Sequence, residues 1–485
     1  MKSVISIRDF SRKEIDSLIV LALEKKRSGT VKKLNKKVAS LFFENSTRTR
    51  TSSETAAENE GCYVNGFAGP EGTSVMKGEP LVDTVRMFEG YGYDAIVMRH
   101  NLEGAARLAC DTVSIPVING GDGSNSHPTQ TLLDLMTIVE AKGKIDGLKI
   151  ALVGDLKYGR TVHTLLQAFE LYKVEVWLVS PEMLAMPEWR IEDYKKAGKE
   201  VIFNDDLMQA ISTVDVLYMT RIQRERFPEG PEGDFEYKKV SGIYNLNASM
   251  LKEAKKDLII LHPLPRYKHN LEIAIDVDKT PYARYIEQAR NGMFMRQAII
   301  ERVFGKGFEE RKKKNEEHNL LWQDLKIEHG KKMGQHMLYR LENGTLIDHI
   351  EAGKGESVIR VLGLGKYKET PMIYAKNLTS KRFGKKDVIG IKDKELSEEE
   401  LSKLALVCSH ATVNMIRDNS VFKKGNVILP YKLVELIECN NPGCITYKKH
   451  HEHAVSVFYV ENQDPLRVRC HYCEKPMSRE EIKLL

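Results

Sequence analysis

A doubly wound α/β fold, with parallel sheets covered by helices and a smaller strand-rich region behind it, is the architecture this sequence predicts. Two patterns carry that expectation. Up to about Gly305, short apolar runs of strand length alternate with helical stretches, which is the rhythm of parallel sheets. Beyond about His336 the text turns strand-rich and ends in two short cysteine pairs.

Taken in order, Val38-Ala39-Ser40-Leu41-Phe42-Phe43 reads as a buried strand, and the stretch from Ser46 through Glu54, Ala56, Ala57 and Glu58 as the helix after it. Further strands are expected at 94–98, 149–153, 174–179, 214–218 and 258–261. His127-Pro128-Thr129-Gln130 opens a helix, with Pro128 at its favoured first position and His127 and Gln130 three apart on one face. From Gly305 to about His336 the chain is charge-dense, as in 309–317, and reads as a linker, flexible or partly helical. A strand is expected over 357–362, and a helix over 397–407 opened by the capping box Ser397-Glu398-Glu399-Glu400. No repeat of fixed period is visible.

A chain of 485 residues has room for about three domains with substantial cores. Hydrophobic residues make up 42% and charged residues 29%, the balance of an ordinary soluble protein. The net charge, 74 basic minus 68 acidic residues or +6, gives no push toward nucleic acid or membrane. The N-terminal text is broken by charge too early for a signal peptide, and no apolar run approaches the roughly 18 residues needed to span a bilayer. A cytoplasmic location is expected.

Chemistry concentrates at the strand ends. Ser46-Thr47-Arg48-Thr49-Arg50 places two guanidinium groups and three hydroxyls in the first turn of a helix, where unpaired N–H groups and the helix dipole face an anion. Forked, charge-assisted bonds from arginine would add to this, and neighbouring helical positions point different ways, so one of Arg48 and Arg50 should reach a ligand. The bland alternative is a capped surface helix with a solvated basic patch. Similar clusters follow other strands: Arg99 and His100, the 127–130 segment, Gly154-Asp155-Leu156-Lys157-Tyr158-Gly159-Arg160, Arg221-Ile222-Gln223, and His262-Pro263-Leu264-Pro265-Arg266. Each alone could be an ordinary loop. The turn at Gly154 lacks the G-x-G-x-x-G spacing and nothing matches a P-loop, which argues against a nucleotide as main substrate. Together the clusters bring arginines, His and Gln without a Ser–His or paired-carboxylate arrangement, and that composition calls for a pair of anionic substrates.

The tail has its own signal. Cys439-Asn440-Asn441-Pro442-Gly443-Cys444 is followed after 25 residues by Cys470-His471-Tyr472-Cys473. Two short pairs at separate turns suit a closed, structural, four-thiolate zinc site, one ion per chain, from Cys439, Cys444, Cys470 and Cys473. Disulfides are the competing reading, disfavoured where no signal peptide is seen. Cys62, Cys110 and Cys408 lack partners at ligand spacing and read as core thiols. A zinc ribbon could also bind nucleic acid. The basic, His-rich 447–453 stretch is a single short cluster without interleaved aromatics, so no nucleic-acid partner is expected, and no membrane either.

The clusters at 46–50, 97–100, 127–130, 154–161, 221–223 and 262–266 resemble, in order, those of the aspartate carbamoyltransferase catalytic chain. Ornithine carbamoyltransferase shares the phosphate motif but carries a Cys in a His-Cys-Leu-Pro segment, where this chain has Pro263, and lacks an equivalent of Arg221-Ile222-Gln223. Ornithine or another acceptor stays the alternative. The resemblance implies transfer of a carbamoyl group from carbamoyl phosphate to L-aspartate, for pyrimidine synthesis, with no catalytic cofactor. By it, Ser46, Thr47, Arg48 and Thr49 hold the phosphate, and Arg99, His127 and Thr49 surround the carbonyl oxygen. One such donor is worth about 3 kcal/mol in the transition state, roughly a hundredfold in rate. Gln130 would bind the carbamoyl amide nitrogen. The carbonyl of Leu264, beside Pro265, would help place the reacting amine, and Arg160, Arg221 and Gln223 would bind the carboxylates of aspartate. Ser74 and Lys77, from the Gly-rich loop 72–79, would act in a neighbouring subunit's site, making the functional unit a homotrimer.

Residues from about 337 onward resemble that family's regulatory chain, through 344–350, 411–414 and the paired cysteines. A nucleotide effector of the CTP or ATP class is implied, its pocket falling on Asp348, His349, Asn414 and Lys424. Gly390 stands where the family has a lysine, which removes a charge-assisted contact; Lys392 lies two residues on along the same strand face. The resemblance divides the chain into a carbamoyl-phosphate domain (1–130), an aspartate domain (131–305) whose last helix returns to the first, the linker (306–336), an α+β allosteric domain (337–432) and a β-rich zinc domain (433–485).

Overall fold

The computed structural model describes residues 3–224, 227, 230–268, 271–308, 322–326, 341–366 and 371–485. Most of the expected linker, 309–321 and 327–336, lies outside the described residues. The chain forms two units, Met1–Lys312 with Gly443–Ala454, and Lys313–Pro442 with Val455–Leu485.

The first half of unit 1 runs α1 (Arg12–Ser28), β1 (Lys37–Phe42), α2 (Thr47–Asn59), β2 (Tyr63–Phe67), α3 (Leu81–Gly90), β3 (Ala95–His100), α4 (Ala105–Thr112), β4 (Val117–Asp122) and α5 (Pro128–Lys142). The second half continues with β5 (Lys149–Val153), α6 (Arg160–Phe169), β6 (Glu175–Val179), α7 (Glu188–Lys196), β7 (Val201–Asn204), α8 (Leu207–Thr213), β8 (Val216–Met219), α9 (Pro231–Val240), β9 (Ile259–Leu261) and α10 (Tyr285–Phe304). Two wholly parallel sheets result, in the orders β2-β1-β3-β4 and β7-β6-β5-β8-β9. Their central strands are buried on both faces, which is why they read as unbroken apolar runs. Helix α5 runs unbroken through the expected boundary at residues 130 and 131.

Helix ends follow local chemistry. Ser11 caps α1 by accepting from the Glu14 N–H, and Gly29 closes it at φ 64°. Helix α10 packs back on α1, α2 and α5. There Lys25, 2% exposed, holds both Glu60 and Glu301 at 2.7 Å, so the buried ammonium is paired on two sides. One aliphatic core, with Leu18, Leu132, Leu152, Leu165 and Ile299 among its members, serves both halves.

Unit 2 carries β10 (Trp322–Asp324), β11 (Gly344–Glu351), α11 (Gly355–Val361), β12 (Met372–Ser380), β13 (Gly384–Lys392), α12 (Glu398–Val407), β14 (Thr412–Arg417), β15 (Ser420–Val427), β16 (Lys432–Val434), β17 (Ile437–Glu438), β18 (Val457–Gln463), β19 (Leu466–Cys470), β20 (Pro476–Ser478) and β21 (Lys483–Leu484). The main sheet is antiparallel, in the order β10-β15-β14-β11-β13-β12, and β16-β18-β19-β20 and β17-β21 form two small sheets. Ser397 and Glu400 close the capping box of α12 reciprocally.

Two expectations are corrected here. The segment expected as a strand at 357–362 falls in helix α11 and its C-cap Leu362, and Val358 and Leu362, four apart, are both buried. Its β-branched run is too short to show a period, and packing on the sheet overrides propensity. Within the expected linker, β10 is a strand paired antiparallel with β15. Trp322 lies over Gly425, where a Cβ would stand 2.2 Å from its ring, and Lys423 Nζ is 4.8 Å from the ring centroid. Trp322, the one tryptophan amid the linker's charges, marks the anchored point.

Candidate active site and metal centre

A cavity of about 620 Å³ opens where the strands of unit 1 end, the usual ligand position in parallel α/β sheets. Arg48, Arg99, Arg160, Arg221 and Arg296 line it, against Glu44 as the single carboxylate among the described residues. The walls also hold Ser46, Thr47, Thr49, His127, Gln130, Gln223, Leu264 and Pro265. Folding thus assembles these expected residues in one place. Ser74 and Lys77 are not among the lining residues; they form a short helical turn elsewhere in unit 1.

Helix α2 presents its start to this cavity. Ser46 takes the N-cap position with extended backbone, yet its hydroxyl makes no cap bond, so it remains available to a ligand together with the first N–H groups of the helix. Arg48 faces the cavity, and burial, with Arg221 nearby, holds its pKa below the usual arginine value. Arg50 turns away to Glu54 at 2.8 Å.

His127 is 4% exposed. Its Nε2 stands 3.5 Å from Thr49 Oγ1 and its Nδ1 3.4 Å from Thr129 Oγ1. Burial, then Arg160, Arg99 and Arg296, push its pKa well below the ordinary histidine value, so the ring is neutral. Glu44 accepts from Arg99 Nε at 2.9 Å and from Arg160 at 3.4 Å, holding two guanidinium groups together. Arg160 also donates to the Gly123 carbonyl at 2.7 Å. Gly121, at φ 121°, leaves it room, since a Cβ there would lie 3.2 Å from the guanidinium carbon. The Gln223 N–H donates to Asp155, fixing the segment after β8. Leu264 adopts φ 54°, uncommon for a residue with a side chain, and its peptide to Pro265 is cis.

Behind the wall sits Asp134, fully buried, which accepts from Gln130, Gln288 and Tyr218. Burial raises its pKa to about 7, those three bonds opposing the rise. Sequence reasoning missed Glu44, Asp134, Gln288 and Arg296. Asp134, one turn from Gln130 on the helix, was the one with a readable signal.

In the tail, Cys439, Cys444, Cys470 and Cys473 are buried with all Sγ atoms within 4.8 Å of one another, and no other such cluster occurs among the described residues. Cys439 and Cys473 Sγ are 3.7 Å apart. Thiolates about 2.3 Å from a tetrahedral zinc fall at about that separation, so the donor set fits. Cys62 and Cys408 are buried and Cys110 half-buried. The segment 443–454 joins unit 1, the Glu103 N–H donating to the Gly443 carbonyl and the Ile445 N–H to that of Glu103.

The four expected effector residues lie on neighbouring strands. Asp348 pairs with Lys386 at 2.6 Å and lies 3.4 Å from His349 Nδ1. Gly390, Leu346, Asn414 and Lys424 occupy one row across β13, β11, β14 and β15. A Cβ at Gly390 would meet Leu341 at 2.9 Å and Leu346 at 3.7 Å, so the missing lysine's place is apolar. Lys392 is exposed. Among the described residues no helix is long and apolar enough to cross a membrane.

Residues 2–140 match the carbamoyl-P binding domain of aspartate/ornithine carbamoyltransferases, and 146–303 their Asp/Orn binding domain. Residues 337–428 match the allosteric domain, and 432–483 the metal binding domain, of the aspartate carbamoyltransferase regulatory chain. The aspartate carbamoyltransferase catalytic subunit of Chromobacterium violaceum is 52% identical over 303 residues, covering 62% of this chain and 97% of its own. That of Thermococcus onnurineus is 50% identical over 309 residues, covering 63% and 97%. Among solved structures, the catalytic subunit of M. jannaschii aspartate transcarbamoylase aligns with TM-score 0.57 and 45% identity, covering 63% of this chain and 99% of its own. The Trypanosoma cruzi enzyme in complex with carbamoyl phosphate and aspartate aligns with TM-score 0.57 and 38% identity, covering 61% and 95%.

Proposed function

The chain belongs to the aspartate carbamoyltransferase family, with catalytic and regulatory domains of that family in one polypeptide, and on that premise we propose how its residues divide the work. The enzyme transfers the carbamoyl group of carbamoyl phosphate to L-aspartate, giving N-carbamoyl-L-aspartate and phosphate; ornithine is not favoured as acceptor. The observation that carries the site reading is the cavity at the start of α2, lined among the described residues by five arginines and one carboxylate. The start of α2, with Ser46, Thr47, Arg48 and Thr49, receives the phosphate. Arg99, His127 and Thr49 surround the carbonyl oxygen. A neutral His127 serves as a hydrogen-bond donor to the developing oxyanion rather than as an acid. Gln130 takes the carbamoyl nitrogen, the Leu264 carbonyl beside Pro265 the attacking amine, and Arg160, Arg221 and Gln223 the two carboxylates. The amine attacks, the C–N bond forms, and the C–O bond to phosphate breaks; positioning and fixed charge supply the rate.

Ser74 and Lys77 complete a neighbouring subunit's site in a homotrimer. Their place outside the lining of this chain's own cavity supports that reading. The domains divide as 1–130, 131–305, 337–432 and 433–485, with α5 as the helix shared by the first two. The metal of the four-cysteine site is zinc, a structural ion. The regulatory domain takes a nucleotide effector at Asp348, His349, Asn414 and Lys424, with apolar surroundings at Gly390 in place of a cation. The match to the regulatory metal domain supports a structural, metal-holding role for the tail over a nucleic-acid role.

The test is carbamoyl transfer measured with aspartate and with ornithine, repeated with CTP, UTP and ATP. Turnover with aspartate is expected. Turnover with ornithine alone would refute the assignment, and a nucleotide response unchanged by Lys424→Ala would refute the effector pocket.

A further inference from the structure

Gln130 and Asp134 lie one helical turn apart on α5, and Asp134 has no exposed surface. Its Oδ1 accepts from Gln130 Nε2 at 2.8 Å and from Gln288 Nε2 at 2.6 Å, and its Oδ2 accepts from the Tyr218 hydroxyl at 2.8 Å. In its ionised form, which prevails above about pH 7, the carboxylate offers acceptors only, so it dictates which end of each amide turns inward. Each amide nitrogen is thus held against Asp134 by one of its two N–H groups. The oxygen of Gln130 is then the atom left for the cavity that Gln130 lines. The oxygen of Gln288 accepts from the His262 backbone N–H at 2.8 Å, and His262 Nδ1 accepts from the Leu264 N–H at 2.8 Å. One buried carboxylate thus orders the cavity wall on two sides, through α5 directly and through α10 to the segment after β9.

We propose that Asp134 is a positioning residue that makes the site selective for an acyl phosphate bearing an N–H donor, by presenting the Gln130 oxygen toward the carbamoyl nitrogen and steadying the Leu264 segment beside the attacking amine. This rests on the reading of Gln130 and Leu264 given above. Carbamoyl and acetyl phosphate share their phosphate and nearly their shape; they differ in NH2 against CH3. Only the first can use an acceptor at that point, and a flipped Gln130 would set N–H against N–H. Selectivity between the two therefore reads the orientation of one amide, while the common phosphate cancels any general change in anion binding.

The experiment compares dissociation constants of carbamoyl phosphate, acetyl phosphate and inorganic phosphate in the full-length enzyme, by calorimetry, for the unaltered protein, Asp134→Asn and Gln130→Ala. An Asn at 134 presents an NH2 on one side and an oxygen on the other, so the inward end of the Gln130 amide is no longer dictated. The expected result is a loss of about fivefold or more in the preference for carbamoyl over acetyl phosphate, with inorganic phosphate bound as before. Undiminished preference in folded Asp134→Asn, while Gln130→Ala loses it, overturns the role of Asp134 alone. Undiminished preference in Gln130→Ala overturns the underlying reading of Gln130 as well. If Asp134→Asn does not fold, the swapped pair Gln130→Glu with Asp134→Asn decides, since it keeps one carboxylate and one amide in the same contact and again leaves an oxygen facing the cavity. Retained preference there supports the proposal, and lost preference overturns it.

Discussion

At the scale of single residues, two arginines two positions apart on one helix have opposite fates. Arg48 is aimed into the cavity and crowded by Arg221, whereas Arg50 is occupied by Glu54. Arg48→Ala is expected to lower kcat by about a hundredfold to a thousandfold, the size of one lost charge-stabilising donor, while Arg50→Ala stays within a few-fold; steady-state kinetics with saturating aspartate checks both. His100 gives a pH prediction. Its Nδ1 accepts from the Leu102 N–H and burial lowers its pKa to about 4. The unfolded chain, with histidine near 6.5, therefore binds a proton that the folded chain refuses. The stability contributed by neutral His100 is full above about 6.5 and is lost as pH falls from there toward about 4. His100→Asn retains an acceptor but does not titrate. Over that window it should gain on the unaltered protein by about 1.4 kcal/mol per pH unit, read from urea unfolding at several pH values.

At the scale of elements, what was readable depended on burial. Central strands β1, β3, β5, β6 and β8, and the buried edge strand β9, are apolar because helices cover both their faces. The edge strands β2 and β7 have half-exposed, mixed sequences and were not anticipated. Neither was β4, buried throughout but spelled Val-Ile-Asn-Gly-Gly-Asp, because Asn119 and Asp122 satisfy each other and nearby backbone. Strand β10 is the extreme case. Three residues join a sheet edge because Gly425 leaves space for the Trp322 ring. Gly425→Val would collide with that ring and is expected to cost about 1–3 kcal/mol. Its signature should be a red shift of tryptophan emission as Trp322 enters water, with faster exchange of the Leu325 amide, which now bonds to the Lys424 carbonyl.

At the scale of the whole molecule, the four-cysteine cluster and the proposed sharing of active sites between subunits give separate tests. Metal analysis should return about one ion per chain, and Cys470→Ser should abolish it while exposing the remaining thiols to alkylation, because a closed thiolate site loses its ion when a ligand goes. Mixing the inactive variants Arg48→Ala and Lys77→Ala should restore part of the activity through hybrid sites; no recovery after confirmed subunit exchange would refute sharing between subunits. The ligand-bearing text, from the helix start at 46–50 to the four cysteines, was legible because anion and metal binding demand particular residue types at short spacings. Sequence alone thus determined the parallel α/β class, the need for anionic substrates and the four cysteines that the fold gathers into one cluster. Only the tertiary structure decided that Glu44 bridges Arg99 and Arg160, that Asp134 orders Gln130 and Gln288, and that residues 355–361 are helical. Those outcomes depend on contacts between residues far apart in the chain and on which face is buried, and neither leaves a local pattern in the sequence.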